Sequence, residues 1–362
     1  MTRSSRRLLL WAGERLRSRL SRRGRRIGWV TAHTLEPGLR FEALGGLGGA
    51  MDMRISRMAR GVAALDPGLH CEIYVPGRPY HAVVFVKAMG PRCLAEARDL
   101  QGRGVRVVFD ANVNYYEVWG EYEVPGTRPT EAQQRDAIAI TAMADAVVAD
   151  STALGEVAAK HNPRIWVVTD NVDLADFPRP RVHRPTAPLR LVWSGVAGKA
   201  APLLSIRDVL ARVLGLELLL VSDAEPPALA ALRGALPCRY LPWSERSYPR
   251  LLAECDAIVS PKRLVNGYEI GHTEYKIALG MAAGLPALAS PQRSYVEAIE
   301  HAGGGILADS PEQWEAGLRR LADPATRAEL GARARRTVEQ RYATPVVAAR
   351  YLEVLRGVLE AR

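Results

Sequence analysis

Residues 255–290 read CDAIVSPKRLVNGYEIGHTEYKIALGMAAGLPALAS. Two short apolar runs, CDAIVSP and PALAS, flank a helical stretch that ends in the turn Gly284-Leu285-Pro286. Runs that are apolar without alternation suit parallel strands buried on both faces, and parallel neighbours need a crossover helix between them. The charges of this helix sit at one end. His272, Thr273, Glu274 and Lys276 fall at its start, and small or apolar residues follow. A helix with a purely structural task spreads its charges along an outer face. A first turn at a strand's carboxyl end presents free N–H groups, here at about Thr273 to Tyr275, and the positive end of the helix dipole, which together suit a phosphate. Lys276 adds a full positive charge. The competing reading is that Glu274 and Lys276 only cap the helix.

Working outward, the same alternation recurs along the chain. RIGWVTA (26–32), CEIYV (71–75), AVVFVKA (82–88), VRVVFDA (105–111), DAVVAD (145–150) and IWVVT (165–169) read as strands. Helical stretches such as 53–65 and 129–144 separate them, the latter opened by a Thr130/Gln133 capping box. DFPRPRVHRPTAP (176–188), with four prolines and no apolar periodicity, reads as a linker. Beyond it the strands LRLVWSG (189–195), LELLLVS (216–222), CRYLP (238–242), CDAIVSP and PALAS follow, and helices close the chain. Two β/α/β arrays imply an α/β protein of two doubly wound, Rossmann-like domains facing a cleft. The expected division is a basic leader over 1–26, an N-terminal domain over 27–175, the linker, and a C-terminal domain over 189–344. A final helix over 345–362 is expected to pack back on the first domain.

Of the 362 residues 48% are hydrophobic and 24% charged, as in a soluble globular chain, and no apolar run is long enough to span a membrane. The four cysteines are scattered, without ligand spacing, so neither zinc nor a disulfide framework is expected, and a cytoplasmic location is. The net charge is +10, yet residues 1–26 hold ten arginines against Glu14 alone, which leaves the rest nearly neutral. Leu9, Leu16 and Leu20 share a helical face within that leader. Such a segment suits the anionic inner face of a membrane, or else a solvated arm. Nucleic acid is not an expected partner, since the basic stretch lacks interleaved aromatics.

Several motifs place the chain beside a known family. Met281-Ala282-Ala283-Gly284-Leu285-Pro286, then SYVEAI (294–299) with Glu297, GGGILAD (303–309) and ARARRTVEQRYA (332–343) resemble the donor-nucleotide domain of GT-B glycosyltransferases, family 4 in particular. ADAVVADSTALGEVAAK (144–160) followed by WVVTDNVDLADF (166–177) resembles the family's passage into its linker. The resemblance implies a retaining, metal-independent, hexosyltransferase-like enzyme. It would transfer sugar from a nucleoside diphosphate to a saccharide or lipid-linked acceptor in envelope or extracellular polysaccharide synthesis, with no cofactor besides that donor.

The resemblance also implies site residues. Lys276, Lys199 and Glu274 would act on the departing diphosphate and the ribose. Gly195, Tyr240, Leu241, Trp243, Glu269, His272, Thr273 and Tyr275 would line the donor site. On the acceptor side stand Gly46 and Gly48 of the glycine-rich loop EALGGLGGAMDMR (42–54), with Asp110 and Asn112 of FDANVNYYE (109–117). No Asp-x-Asp motif follows a strand, so no metal site is expected, and lysines with the helix dipole are the expected phosphate binders. Two family features are missing. The paired glutamates fall on Gly271 and Leu279, and Val196 stands where an arginine is usual. The alternative reading is therefore a catalytically silent GT-B protein serving as partner or scaffold for another glycosyltransferase. An epimerase or hydrolase of the same fold would need an acid–base cluster, of which the sequence offers only a scatter.

Overall fold

The computed structural model describes residues 24–30 and 52–361. The glycines at 45, 46, 48 and 49, His33, and the leader through residue 23 lie outside the described residues. The first sheet consists of β1 (Arg25–Val30), β2 (Leu69–Ile73), β3 (Ala82–Val86), β4 (Arg106–Ala111), β5 (Ala146–Ala149) and β6 (Ile165–Val167), in the order β2-β1-β3-β4-β5-β6. The second consists of β7 (Leu189–Ser194), β8 (Leu216–Ser222), β9 (Cys238–Pro242), β10 (Ala257–Ser260), β11 (Ala287–Ala289) and β12 (Gly305–Leu307), in the order β12-β11-β10-β7-β8-β9. All pairings are parallel.

The strands that read as unbroken apolar runs are those covered on both faces. In the second sheet Leu191, Trp193, Leu218 and Leu220 pack to one side against Leu203, Leu229 and Trp314. Val192, Leu219 and Val221 pack to the other against Ile277, Met281 and Tyr295. In the first sheet Ile27, Trp29, Val84 and Val108 meet Tyr351, Leu352 and Leu355 of the last helix, Thr344–Glu360. The chain's end thus completes the core of its beginning.

One boundary differs from the sequence reading, and the linker has contacts of its own. Arg25 and Arg26 belong to β1, in register with Leu69 and His70, so the basic leader stops short of them. The proline-rich segment is seated on the second domain rather than free. Arg181 donates its amide to Ala283 O at 2.7 Å and its guanidinium to Asp256 at 3.2 Å. Gly284 takes φ +80°, and a Cβ there would stand 2.8 Å from Pro180 Cβ, so only glycine fits this turn beneath the linker.

In each sheet the chain leaves in one direction and returns on the other side of its starting strand. The reversals lie between β1 and β3 and between β7 and β10. Crevices beyond the carboxyl ends of such strands are where doubly wound sheets bind ligands.

Candidate functional site: a lysine group at the β7/β10 crevice

Three lysines converge on the second crevice. Lys199 follows the end of β7, Lys262 follows the end of β10, and Lys276 stands in the first turn of the helix Tyr275–Ala282. Gly195 lies beneath Lys276: a Cβ at 195 would be 2.6 Å from Lys276 Nζ, so the absence of a side chain makes room for the amine. That amine stands 5.1 Å from the Trp193 ring centroid, a cation–π distance. Lys199 Nζ donates to Tyr268 Oη at 2.6 Å and lies 3.5 Å from His272 Nε2. Lys262 Nζ lies 3.5 Å from Glu269 Oε2, both side chains largely buried. The Asn266 side chain accepts from the Glu269 amide at 2.8 Å and so caps the short turn that carries Tyr268 and Glu269.

The charges in this group do not balance. Burial, then Lys262 and Lys87, bring Lys199 down to about 8. Burial, then Lys262 and Lys199, hold Lys276 well below its ordinary value. His272 is held well below the usual imidazole range by burial and by Lys199, Lys262, Lys276 and Lys87, which leaves it neutral at neutral pH. Cations that depress one another in a partly desolvated crevice are suited to a bound anion, and such clusters mark functional sites. The crevice opens into a cleft lined by Lys199, Lys262, Glu269 and Lys276. Its other wall is the segment 121–127 of the first domain, with Glu121, Glu123 and Val124. That segment is docked. Gly120 bridges to Asn266, Asn266 Nδ2 donates to Glu121 O, and Arg263 pairs with Glu123. Gly120 has φ +77°, and a Cβ there would fall 1.8 Å from Val265 O.

The expected residues sort into distinct places. Lys276, Lys199, Gly195, Glu269 and His272 are brought together. Thr273 and Glu274 turn away from the lysines, toward Asp170. Thr273 Oγ1 donates to Asp170 at 2.8 Å. Glu274 is 2% exposed, and its surroundings are Asp170, Arg341, Glu297 and Tyr342. Burial and Asp170 push its carboxyl up to about 8. The ribose or catalytic role expected of Glu274 is therefore corrected: its carboxylate lies outside the lysine group, and Glu269 is the acid inside it. The family's two glutamate positions have no acid. A Cβ at Gly271 would stand 3.3 Å from Asn114 Cβ, and Leu279 packs on the core. Tyr275 packs on the same core.

Tyr240, Leu241 and Trp243 lie at β9, two strands away from β7. Tyr240 leans on one core face, and Leu241 and Trp243 on the other. Asp110, expected to meet an acceptor, is fully buried and engaged by Arg54 and Tyr351, so that expectation is corrected too. Among the described residues Asn112 has no hydrogen-bond partner for either side-chain atom. Sequence reasoning missed Lys262 and Lys87. Both directly follow strand runs, and a cation at a strand's carboxyl end was the signal available.

Residues 196–323 match the family described as glycosyl transferases group 1. A search of curated protein sequences finds no match. Among solved structures, S. aureus TarM aligns with TM-score 0.59 and 11% identity over 84% of this chain, which spans 58% of that protein's length. Sucrose-phosphate synthase from Thermosynechococcus elongatus aligns with TM-score 0.67 and 13% identity, over 93% of this chain and 100% of that one. HepE of Anabaena, in complex with UDP, aligns with TM-score 0.63 and 14% identity, over 92% and 100%. The protein has the GT-B fold, and residues 196–323 of its C-terminal domain are similar to the glycosyl transferases group 1 family.

Proposed function

We propose that the protein is a glycosyltransferase whose C-terminal domain holds a nucleoside-diphosphate sugar with its diphosphate against Lys199, Lys262 and Lys276. The observation that carries this reading is the three-lysine group with Glu269 at the β7/β10 crevice. Preorganised cations of this kind stabilise the charge that develops on a departing diphosphate. They do so without a metal, so donor binding should be insensitive to EDTA. The similar proteins TarM and HepE are described in complex with UDP, which supports a nucleotide donor. Hexosyl transfer, anomeric retention and a saccharide or lipid-linked acceptor in polysaccharide synthesis rest on the family resemblance. The base site is proposed at Tyr240, Leu241 and Trp243, and Asn112, whose amide has no partner among the described residues, on the acceptor side. The silent-scaffold reading is favoured by the acid-free positions 271 and 279. Release of sugar from UDP-glucose, GDP-mannose or ADP-glucose separates the two, since a scaffold binds without turnover.

The lysine group gives this reading a pH signature. A bound diphosphate favours the protonated amines and raises their pKa. Affinity is therefore fully present below the free value of Lys199, about 8, and is lost as pH rises through the higher bound value. Calorimetry with a sugar nucleotide, whose phosphates do not titrate in this range, should show net proton uptake at pH 8 and weaker binding at pH 9.5. Proton release, or affinity level across that range, would remove the lysines from the site.

The leader is proposed to hold the enzyme peripherally on an anionic cytoplasmic membrane face, near a lipid-linked acceptor. Among the described residues no helix is long and apolar enough to cross a membrane. Each basic residue near an anionic surface contributes roughly 1 kcal/mol, and salt weakens it. Because Arg25 and Arg26 belong to β1, the informative truncation begins at Gly24. The full chain should sediment with phosphatidylserine vesicles at low salt and release as salt rises, and the truncated chain should stay in solution. Equal vesicle binding by both would exclude the leader as the anchor.

A further inference from the structure

The first domain has a crevice of its own, between β1 and β3, and Lys87 stands at its rim directly after β3. Among the described residues Lys87 is the one non-glycine residue with positive φ, at 52°. A left-handed conformation is strained for a side-chain-bearing residue, and such strain gathers at functional sites. Nothing in the turn demands a lysine, since glycine would hold it without strain. The backbone is fixed all the same: the Lys87 amide donates to Asp110 O at 2.9 Å, and Asp110 is itself clamped by Arg54. The side chain is exposed, with its amine 5.8 Å from the Tyr115 ring centroid. It lies close enough to Lys199, Tyr268 and His272, across the cleft, for its charge to be felt by all three.

With its amines held protonated by a bound anion, the C-terminal domain alone presents Lys199, Lys262 and Lys276 against Glu269, a net of two positive charges. A diphosphate esterified at both ends carries about two negative charges, and the free nucleoside diphosphate nearly three. During transfer the bond from the anomeric carbon to the phosphate oxygen breaks, and its electron pair stays on the diphosphate. The acceptor hydroxyl oxygen bonds the anomeric carbon, and the hydroxyl proton passes to the diphosphate or to water. Until that proton arrives, the diphosphate bears one negative charge more than the donor did.

We infer that Lys87 is the cation matched to this extra charge: a residue of the acceptor domain that binds the departing diphosphate and not the intact donor. An interaction made only as charge develops raises turnover without tightening donor binding. The inference rests on the donor-site reading above and adds to it a specific division of labour between the two domains.

The test compares wild type, Lys87→Gly and Lys87→Arg. Glycine removes the charge while favouring the turn, so the variant should fold with an unchanged or higher melting temperature. Arginine keeps the charge. Calorimetry is run with the pairs UDP and UDP-glucose, GDP and GDP-mannose, ADP and ADP-glucose, and sugar release is followed at saturating donor. Lys87→Gly should bind the free diphosphate about tenfold more weakly, the loss of one charge-assisted contact. Its affinity for the matching sugar nucleotide should change less than twofold, and its maximal sugar release should fall about tenfold at unchanged KM. Lys87→Arg should restore most of both. Equal loss of both ligands, or loss of neither, overturns the inference. In those cases weakened binding of both by Lys276→Met shows that the donor site itself stands. If wild type binds none of the six, the donor-site reading falls and this inference falls with it.

Discussion

Lys276→Met should weaken binding of the nucleoside diphosphate by about 1.5–3 kcal/mol, a tenfold to hundredfold change in Kd, while leaving the free protein as stable as before or more so. The two signs together identify the residue's task. Lys276 is partly buried over Trp193 and beside Gly195, with Lys199 and Lys262 near enough to repel it. Its pKa is lowered, first by burial and then by those neighbours. Between that lowered value and the ordinary 10.5 the unfolded chain binds more protons than the folded one, so stability rises with pH through this window. Holding a lysine at this place therefore costs the empty fold stability at neutral pH. Methionine keeps the length of the side chain, packs on Trp193 and removes the repulsion. A lysine with a structural task would behave in the opposite way, its loss lowering the melting temperature and leaving ligand affinity alone. Calorimetry with the diphosphate and a thermal melt without it separate the cases. A variant that melts lower and binds equally well would end the assignment.

The fold was legible because its decisive signals are local. β3, β4 and β7 announce themselves as apolar runs, and the capping box at Thr130 forms as the sequence spells it. The site was legible in part. Lys276 and Lys199 could be placed because strand–loop–helix order alone puts them at carboxyl ends. Glu274 could not. Positions two apart at a helix start point to opposite sides, so the same turn that aims Lys276 into the crevice aims Glu274 at Asp170. Lys87 was passed over because a lysine ending a strand reads as solvated. Its meaning lies in a left-handed backbone and in partners on the other domain, and no local pattern encodes either. Asp110 failed for the same reason: the arginine that buries it lies 56 residues away along the chain.

That arginine carries the largest expected loss of stability. Arg54 is 1% exposed. Its Nε and Nη2 donate to the two oxygens of Asp110 at 3.1 and 3.0 Å, and its Nη1 donates to Val168 O at 2.7 Å and Thr169 O at 3.1 Å. Tyr351, from the last helix, donates to Asp110 at 2.8 Å. Burial opposes the guanidinium charge, but Asp110, Asp170 and Asp150 outweigh it and hold Arg54 firmly ionised. Removing one partner of such a pair leaves a charge with neither water nor counter-ion, which costs about 3–5 kcal/mol. Arg54→Met should lower stability by that amount in urea titration. Arg54→Met with Asp110→Leu should recover part of the loss, since the bare Asp110 carboxylate is then gone while Asp170 and Asp150 remain. The single variant should also show a larger pH dependence. Asp110 already titrates above its ordinary value, chiefly through burial, and without Arg54 it should rise further. The gap between its folded and unfolded pKa then widens, so stability is fullest below the unfolded value and more of it is lost as pH rises through the folded value. The effect should reach the cleft as well, because the Lys87 amide is held by Asp110 O at the end of β4. A loss under about 1 kcal/mol, or a double variant no better than the single one, would show that the pair is not what ties β4 to the helix Asp52–Arg57 and to the last helix.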